Sequence, residues 1–291
     1  MVAQAWQWVA LLQARPVPSY GVNNLCVDDA NHNKFPGNVN VNWALECLRP
    51  CGILAPHVTA SYGEQPRRAN LTGKWMTNPL ITIVDESEDL VLLAPGSSMD
   101  QHHPHMEGIA QTFNRVGFCT WRFQFDYRTE GKAFPPRDLT VTINEYEQAF
   151  EAASKVFPEH RIHLGGHSYG ARVATHLAAH LLDQAHPLRA RISSTICFSV
   201  PVHPANKPSL SRWKHASRLT LPVCFISGER DPLAYEDNLV ELFSQLSTPS
   251  KQLSIIPGAD HGFRQPKTIK VSHEAFSVAG EALTSFLASL D

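Results

Sequence analysis

The fold of this protein is decided by the sequence LGGHSYG, which runs from Leu164 to Gly170. Its last five residues follow the pattern G-x-S-x-G, with Ser168 at the centre. Residues 161–164 have the apolar character of a buried strand, and residues 171–182 have helical spacing. A strand before the pattern and a helix after it are typical of a sharp turn that lifts the serine hydroxyl clear of a sheet. Glycine is needed two positions either side of the serine, because larger side chains would collide there.

The alternation of strands and helices continues over residues 76–291. Strand-like runs recur between helix-like runs, which is the pattern of a parallel sheet with helices on both faces. We predict strands at residues 80–84, 90–94, 118–123, 161–164, 194–198, 222–226 and 253–256, and helices at residues 106–115, 143–156, 171–182 and 272–290. The sequence therefore predicts an α/β fold with a doubly wound, mostly parallel sheet and no large lid.

Residues 1–75 have a different character from the rest of the chain. They show no period of two or 3.6 residues, and residues 22–42 collect asparagines around a Pro-Gly pair. We predict an irregular segment that is disordered or not part of the native protein, with Met76 as the natural start. The alternative is an N-terminal arm that packs on the sheet edge or binds a partner.

The overall composition excludes several classes of partner. The chain has 25 basic and 27 acidic residues, for a net charge of −2, so it offers no electrostatic attraction for nucleic acid or for an anionic membrane. It also lacks an apolar run of about 18 residues that could span a membrane. Its N-terminus lacks the basic start of a signal peptide, and its six cysteines do not suggest a disulfide framework. We predict a cytoplasmic protein with no nucleic-acid or membrane partner; the sequence leaves the oligomeric state open.

A serine hydroxyl becomes a useful nucleophile when a base takes its proton. Where such a turn carries a catalytic serine, an acid and then a histidine follow along the chain. Asp231 follows a predicted strand and a glycine turn, and His261 follows the last predicted strand. Parallel strands bring their carboxyl ends to one edge, so we predict that Ser168, Asp231 and His261 converge there as nucleophile, acid and base. Glu229 and Asp260 are the competing acids.

An acyl-transfer site also needs backbone N–H groups that stabilise a negatively charged oxygen, the oxyanion hole. One predicted donor is the N–H of Tyr169, the residue after the nucleophile. The other comes from the loop after the strand at residues 90–94, where Ser97 is the first choice and Ser98 the second.

The chain from Met76 onward resembles the α/β-hydrolase-like family related to dienelactone hydrolases. Within it, the nearest resemblance is to the subgroup of a testis-expressed protein and the hydrolase-like domain of a subunit of the NSL chromatin-acetyltransferase complex. The stretches that carry the resemblance are residues 93–100, 103–106, 122–127, 165–174 and 201–208, followed by the turn at 228–231. The sequence departs from the family at Ser97-Ser98, where glycine is more usual, and at His167, where a basic residue is frequent.

The resemblance implies a serine hydrolase of carboxylesterase or thioesterase type, which acts on a small-molecule acyl substrate through an acyl-enzyme and needs no cofactor. Because some members of the family are better known as parts of complexes, a non-catalytic interaction module is one alternative. A peptidase or acyltransferase that uses the same triad is another, since specificity depends on loops.

Three further motifs contain residue types that could form functional sites. The run at residues 102–105, HHPH, matches no compact zinc spacing, so we predict no metal site and instead a polar pocket rim. The cysteines at 47 and 51 lack a second ligand pair. The basic loop at residues 207–218 lies where related folds insert a lid; a solvated surface is favoured over contact with an acidic substrate.

Overall fold

A computed structural model of the protein describes residues 58–61, 79–183, 186–248, 250–265 and 273–290. All of these residues lie in the compact unit Ile53–Asp291. Of the segment 1–75, only Val58–Ser61 is described, and it forms a strand. The remainder of that segment lies outside the described residues, so its irregular character and the natural start at Met76 stay predictions.

Eight strands form one sheet, in the order β1-β2-β4-β3-β5-β6-β7-β8. Strand β2 runs antiparallel to both β1 and β4, and all other neighbouring strands are parallel. The strands are β1 Val58–Ser61, β2 Leu80–Ile83, β3 Asp89–Ala94, β4 Cys119–Arg122, β5 Arg161–His167, β6 Ile192–Phe198, β7 Val223–Gly228 and β8 Lys251–Ile256. The predicted α/β fold with a mostly parallel sheet is confirmed.

Six α-helices connect and cover the strands in the described part of the chain. They are α1 Pro104–Arg115, α2 Asp126–Thr129, α3 Leu139–Val156, α4 Tyr169–Asp183, α5 Glu236–Ser244 and α6 His273–Leu287. Between β6 and β7 the helical structure is limited to two 3-10 turns, Ser211–Trp213 and Ala216–Arg218, which agrees with the prediction of no large lid. Among the described helices, none has the length and apolar character needed to cross a bilayer.

The apolar strands supply a core on each face of the sheet. Successive side chains of a strand point to opposite faces, so Leu90 and Leu92 of β3 pack in one cluster with α3 and α4. Val91 and Leu93 pack in the other cluster with α1 and α6. All four are fully buried, which explains why β3 reads as a continuous apolar run. The two cores hold the strands rigidly, and their carboxyl ends form the edge where the predicted site lies.

Candidate active site

The predicted turn around the serine is present in the structure. Strand β5 ends at His167 and α4 begins at Tyr169, so Ser168 alone joins them. Its φ of 51° is in the left-handed region that non-glycine residues rarely adopt. A Cβ atom at position 166 would lie 2.5 Å from the carbonyl oxygen of Ala94, so only glycine fits there. This close approach packs the end of β3 directly against the serine turn.

The side chains of Ser168, His261 and Asp231 form a continuous chain of hydrogen bonds, which we call the candidate triad. The serine Oγ lies 2.8 Å from Nε2 of His261. Nδ1 of the same imidazole lies 2.7 Å from Oδ2 of Asp231. Because a carboxylate oxygen accepts, Nδ1 carries the hydrogen and Nε2 is left to accept the serine proton. The structure thus brings together all three residues that we predicted from separate segments.

Burial differs along the candidate triad in a way that suits acid–base chemistry. The carboxyl group of Asp231 is fully buried, whereas the His261 side chain is 22% exposed. The second carboxylate oxygen of Asp231 accepts the backbone N–H of Leu233 at 2.8 Å, which fixes the orientation of the acid. A buried, oriented carboxylate stabilises an imidazolium, and a partly exposed imidazole can exchange a proton with a bound molecule.

The two competing acids are engaged elsewhere. Glu229 accepts the backbone N–H of Gly258 at 2.6 Å. Asp260 accepts the backbone N–H groups of Gly262 and Arg264 and forms an ion pair with the Arg264 guanidinium at 2.9 Å. Both carboxylates therefore brace the loops that carry the triad residues, and Asp231 is the acid that contacts His261.

The predicted oxyanion donors lie on two segments that meet at the serine turn. Tyr169 is the first residue of α4, and the first N–H groups of a helix have no acceptor within it. The carbonyl oxygen of Ser97, in the loop after β3, accepts the Tyr127 hydroxyl at 2.8 Å. A turn closed by the Met99 N–H and the Gly96 carbonyl oxygen shapes the same loop. The use of the Tyr169 and Ser97 N–H groups as oxyanion donors stays a prediction.

Two buried histidines support the site, and sequence reasoning missed both roles. His167 is almost fully buried, and its Nε2 donates to the backbone carbonyl oxygen of His261 at 3.0 Å. The ring of His105 contacts that of His167 edge-on, with centroids 4.4 Å apart. Burial, followed by nearby histidines, lowers the pKa of His105 to about 3 and that of His167 well below its usual value, so both are neutral. The prediction of a polar rim for the HHPH run is wrong for His105, because its ring is buried against Phe263 and Phe276.

The loop that carries Asp231 is fastened by another buried histidine. Nδ1 of His203 donates to the Pro204 carbonyl oxygen at 2.9 Å, and Nε2 accepts the Tyr235 N–H at 3.3 Å. The backbone N–H of His203 donates to the Leu233 carbonyl oxygen at 3.0 Å. A histidine bonded through both ring nitrogens has a fixed tautomer and orientation. It therefore ties the loop after β6 to the loop after β7.

The basic loop at residues 207–218 has two kinds of side chain. Its lysines and arginines are exposed, which agrees with the favoured prediction of a solvated surface. Trp213 and His215 are instead buried. His215 stacks on His176 of α4, with centroids 3.5 Å apart, and bonds to the Thr175 hydroxyl at 2.9 Å. The loop is thus anchored to the helix that follows the serine. Among the described residues, no group of three or more His, Cys, Asp or Glu side chains is arranged to hold a metal ion.

A mostly parallel sheet whose fifth strand leads through a serine turn into a helix defines the class of α/β hydrolase folds. Residues 87–287 match the family described as alpha/beta hydrolase domain. This match spans more than half of the sequence, and the chain belongs to that family.

Solved structures share the same fold at low sequence identity. A dienelactone hydrolase from Anabaena variabilis is 17% identical, with a TM-score of 0.58 over 79% of this chain and 98% of the other. Est1E from Butyrivibrio proteoclasticus is 16% identical, with a TM-score of 0.55 over 73% and 93%. An alpha-beta serine hydrolase homologue from Coxiella burnetii is 18% identical, with a TM-score of 0.52 over 72% and 91%. At these identities the likeness shows the fold.

Proposed function

We propose that this protein is a serine hydrolase that cleaves an ester or thioester bond of a small acyl substrate. The observation that carries the proposal is the unbroken hydrogen-bond chain from the Ser168 hydroxyl through His261 to the buried carboxylate of Asp231. Its position after the carboxyl ends of parallel strands, where α/β sheets bind their ligands, supports it.

The proposed reaction passes through an acyl-enzyme. Oγ of Ser168 attacks the carbonyl carbon while Nε2 of His261 takes the hydroxyl proton, and Asp231 stabilises the resulting imidazolium. The N–H groups of Tyr169 and Ser97 donate to the oxyanion of the tetrahedral intermediate. His261 then gives the proton to the departing alcohol or thiol, and the acyl group stays on the serine. Water, deprotonated by His261, releases the acid and restores the enzyme. All of these groups belong to the chain, so we propose that no cofactor takes part.

The finer assignments are also proposals. The similarity to a protein called dienelactone hydrolase favours ester chemistry over peptide cleavage. We also propose that the chain belongs with the subgroup of the testis-expressed protein and the NSL-complex subunit. We propose a cytoplasmic location, since a reducing compartment suits the buried free thiols of Cys119, Cys197 and Cys224.

The experiment pairs an activity-based probe with a substrate panel. The wild-type protein should react with a fluorophosphonate and hydrolyse at least one member of a panel of short-chain and long-chain acyl esters and thioesters. Ser168→Ala should abolish both reactions. A wild-type protein that is folded yet inert to the probe and to the whole panel would support a non-catalytic interaction module instead. Activity on amides alone, or transfer of the acyl group to an added alcohol, would favour the peptidase or acyltransferase alternative.

A further inference from the structure

A cavity of about 410 Å³ is lined by residues of α1 and of the neighbouring strands β2 and β4. Its volume is in the range of small-molecule binding sites, roughly 300–1,000 Å³. None of its lining residues belongs to the candidate triad or to the predicted oxyanion donors. Its lining includes Thr82, Glu107, Ala110, Asn114, Arg115 and Arg122.

The guanidinium of Arg122 is the most unusual group in this cavity. The residue is the last of β4 and is only 8% exposed. Nη1 donates to the carbonyl oxygen of Gln101 at 3.1 Å, and Nε is buried with no hydrogen-bond partner. The negative charge of Glu107 attracts the Arg122 guanidinium at a distance. However, no carboxylate of the described residues forms an ion pair with Arg122. Burial lowers the pKa of Arg122, yet an arginine stays charged in proteins.

A buried charge without an opposite charge destabilises a protein, and an apolar side chain of similar length would serve the fold better. The other residues that line the cavity do not neutralise the positive charge of Arg122. Arg115 adds a second positive charge and Glu107 one negative charge, so the lining has a net charge of 2 − 1 = +1. Asn114 is fixed in place because its amide donates to the Phe118 carbonyl oxygen at 2.9 Å. The cavity therefore has a rigid wall, an apolar surface at Ala110 and an unmatched cation.

We propose that this cavity is a second binding site, for a small molecule that carries one oxyanion group, a carboxylate or a phosphate, held by the guanidinium of Arg122. Arginine binds such groups through parallel charge-assisted hydrogen bonds. The oxyanion supplies the missing opposite charge, and the methyl group of Ala110 contacts the apolar part of the ligand. The site goes beyond the proposed hydrolase activity and does not depend on it.

The test measures binding to the full chain by calorimetry at low ionic strength, with four oxyanion probes: acetate, benzoate, inorganic phosphate and phenyl phosphate. Benzamide is the neutral counterpart of benzoate. At least one oxyanion should bind saturably and benzamide should not. Arg122→Met should weaken that binding at least about tenfold, which is the loss expected for one charged hydrogen-bonded contact. Arg189→Gln, which removes an exposed arginine outside the cavity, should bind like the wild type.

Two results would overturn the proposal: no saturable binding of any of the four oxyanions, or unchanged affinity in Arg122→Met. The melting temperature of the variant in ligand-free buffer is a separate check. It should stay within a few degrees of the wild type, since the substitution removes an unmatched buried charge along with one hydrogen bond. If the variant does not fold, NMR of the wild-type protein decides the question. The bound oxyanion must shift the side-chain amide signals of Asn114, and shifts confined to other parts of the protein would contradict the site.

Discussion

The sheet contains two Ser–His–Asp hydrogen-bond chains, one at each end of its central strands. The candidate triad lies at the carboxyl end. At the amino end, the Ser194 hydroxyl lies 2.7 Å from Nδ1 of His163, and Nε2 of His163 lies 3.0 Å from Oδ1 of Asp89. The second set, which we call the lower chain, has the same residue types and comparable distances. Residue identity and hydrogen bonding alone therefore do not define a catalytic site.

The two hydrogen-bond chains differ in their surroundings, and this difference determines which serine a substrate could reach. Ser194 is fully buried within β6, so no substrate can reach its hydroxyl. Asp89 shares both of its oxygens with Arg161, each at 2.8 Å. Burial alone would raise the pKa of Asp89, but the hydrogen bonds and charges of His163 and Arg161 lower it to about 2. The lower chain fastens strands β3, β5 and β6 to one another. The candidate triad differs because its serine lies in a turn at a helix start and its histidine is partly exposed.

The largest expected difference between the two chains comes from removing each serine hydroxyl. Ser168→Ala should lower turnover by about 10⁴-fold or more, because the nucleophile is lost. Ser194→Ala should leave turnover within about twofold. It should lower the free energy of unfolding by about 1–3 kcal/mol, because a buried imidazole nitrogen loses its partner. Probe labelling and turnover assays of both variants measure the loss of activity, and urea unfolding measures the change in stability. Equal losses of turnover would show that the distinction between the chains is wrong.

The next effect concerns the acids. Asp231→Asn should lower turnover by about 10⁴-fold with the fold intact, because the amide favours the wrong tautomer of His261. Asp260→Asn and Glu229→Gln are matched controls and should cost less than about tenfold, since their bonds brace loops. Steady-state kinetics with circular dichroism would check this. A larger loss in Asp260→Asn than in Asp231→Asn would reassign the triad acid.

The smallest effect concerns a histidine that belongs to neither chain. Both ring nitrogens of His105 are buried without a hydrogen-bond partner, and its pKa is lowered to about 3. Between pH 3 and 6.5 the unfolded chain binds a proton here that the folded protein does not, so stability falls as pH falls through this window. His105→Phe removes this penalty. The free energy of unfolding of the variant minus that of the wild type should therefore be about 2 kcal/mol larger at pH 5 than at pH 8. Parallel curves of unfolding free energy against pH would contradict the assignment.

Much of the fold could be predicted because its signals are local. The apolar runs gave seven of the strands, with ends that differ by a few residues. The apolar pattern predicts that strand β5 ends at residue 164, but the strand pairs with β6 through His167, because two glycines interrupt the apolar pattern. Helix α5 was missed, since only Leu239 and Leu242 of its nine residues are buried hydrophobics. The antiparallel β2 and the exchange of β3 and β4 in the sheet order depend on pairing between distant strands, which periodicity does not report.

For the candidate site too, some features could be predicted from local sequence signals and others could not. Glycine turns and strand ends are visible in the sequence, so Ser168, Asp231 and His261 could be singled out. The contacts of His167 and His105 could not, because a lone histidine has no pattern that distinguishes a buried ring from an exposed one. The lower chain was missed for a similar reason: His163 and Ser194 lie 31 residues apart within apolar strands.

The left-handed backbone at Ser168 sets the stability of the fold against the catalytic role proposed for this residue. A non-glycine residue in this region of φ and ψ costs about 1–2 kcal/mol, and the chain bears that cost in every folded molecule, whether or not a ligand is bound. Glycine at position 168 would relieve the strain, although its greater freedom in the unfolded chain offsets part of the gain. A laboratory selection for thermal stability without a screen for activity would therefore tend to discard the proposed nucleophile. Any effort to stabilise this protein while keeping the proposed activity should hold position 168 fixed and seek its improvements elsewhere in the fold.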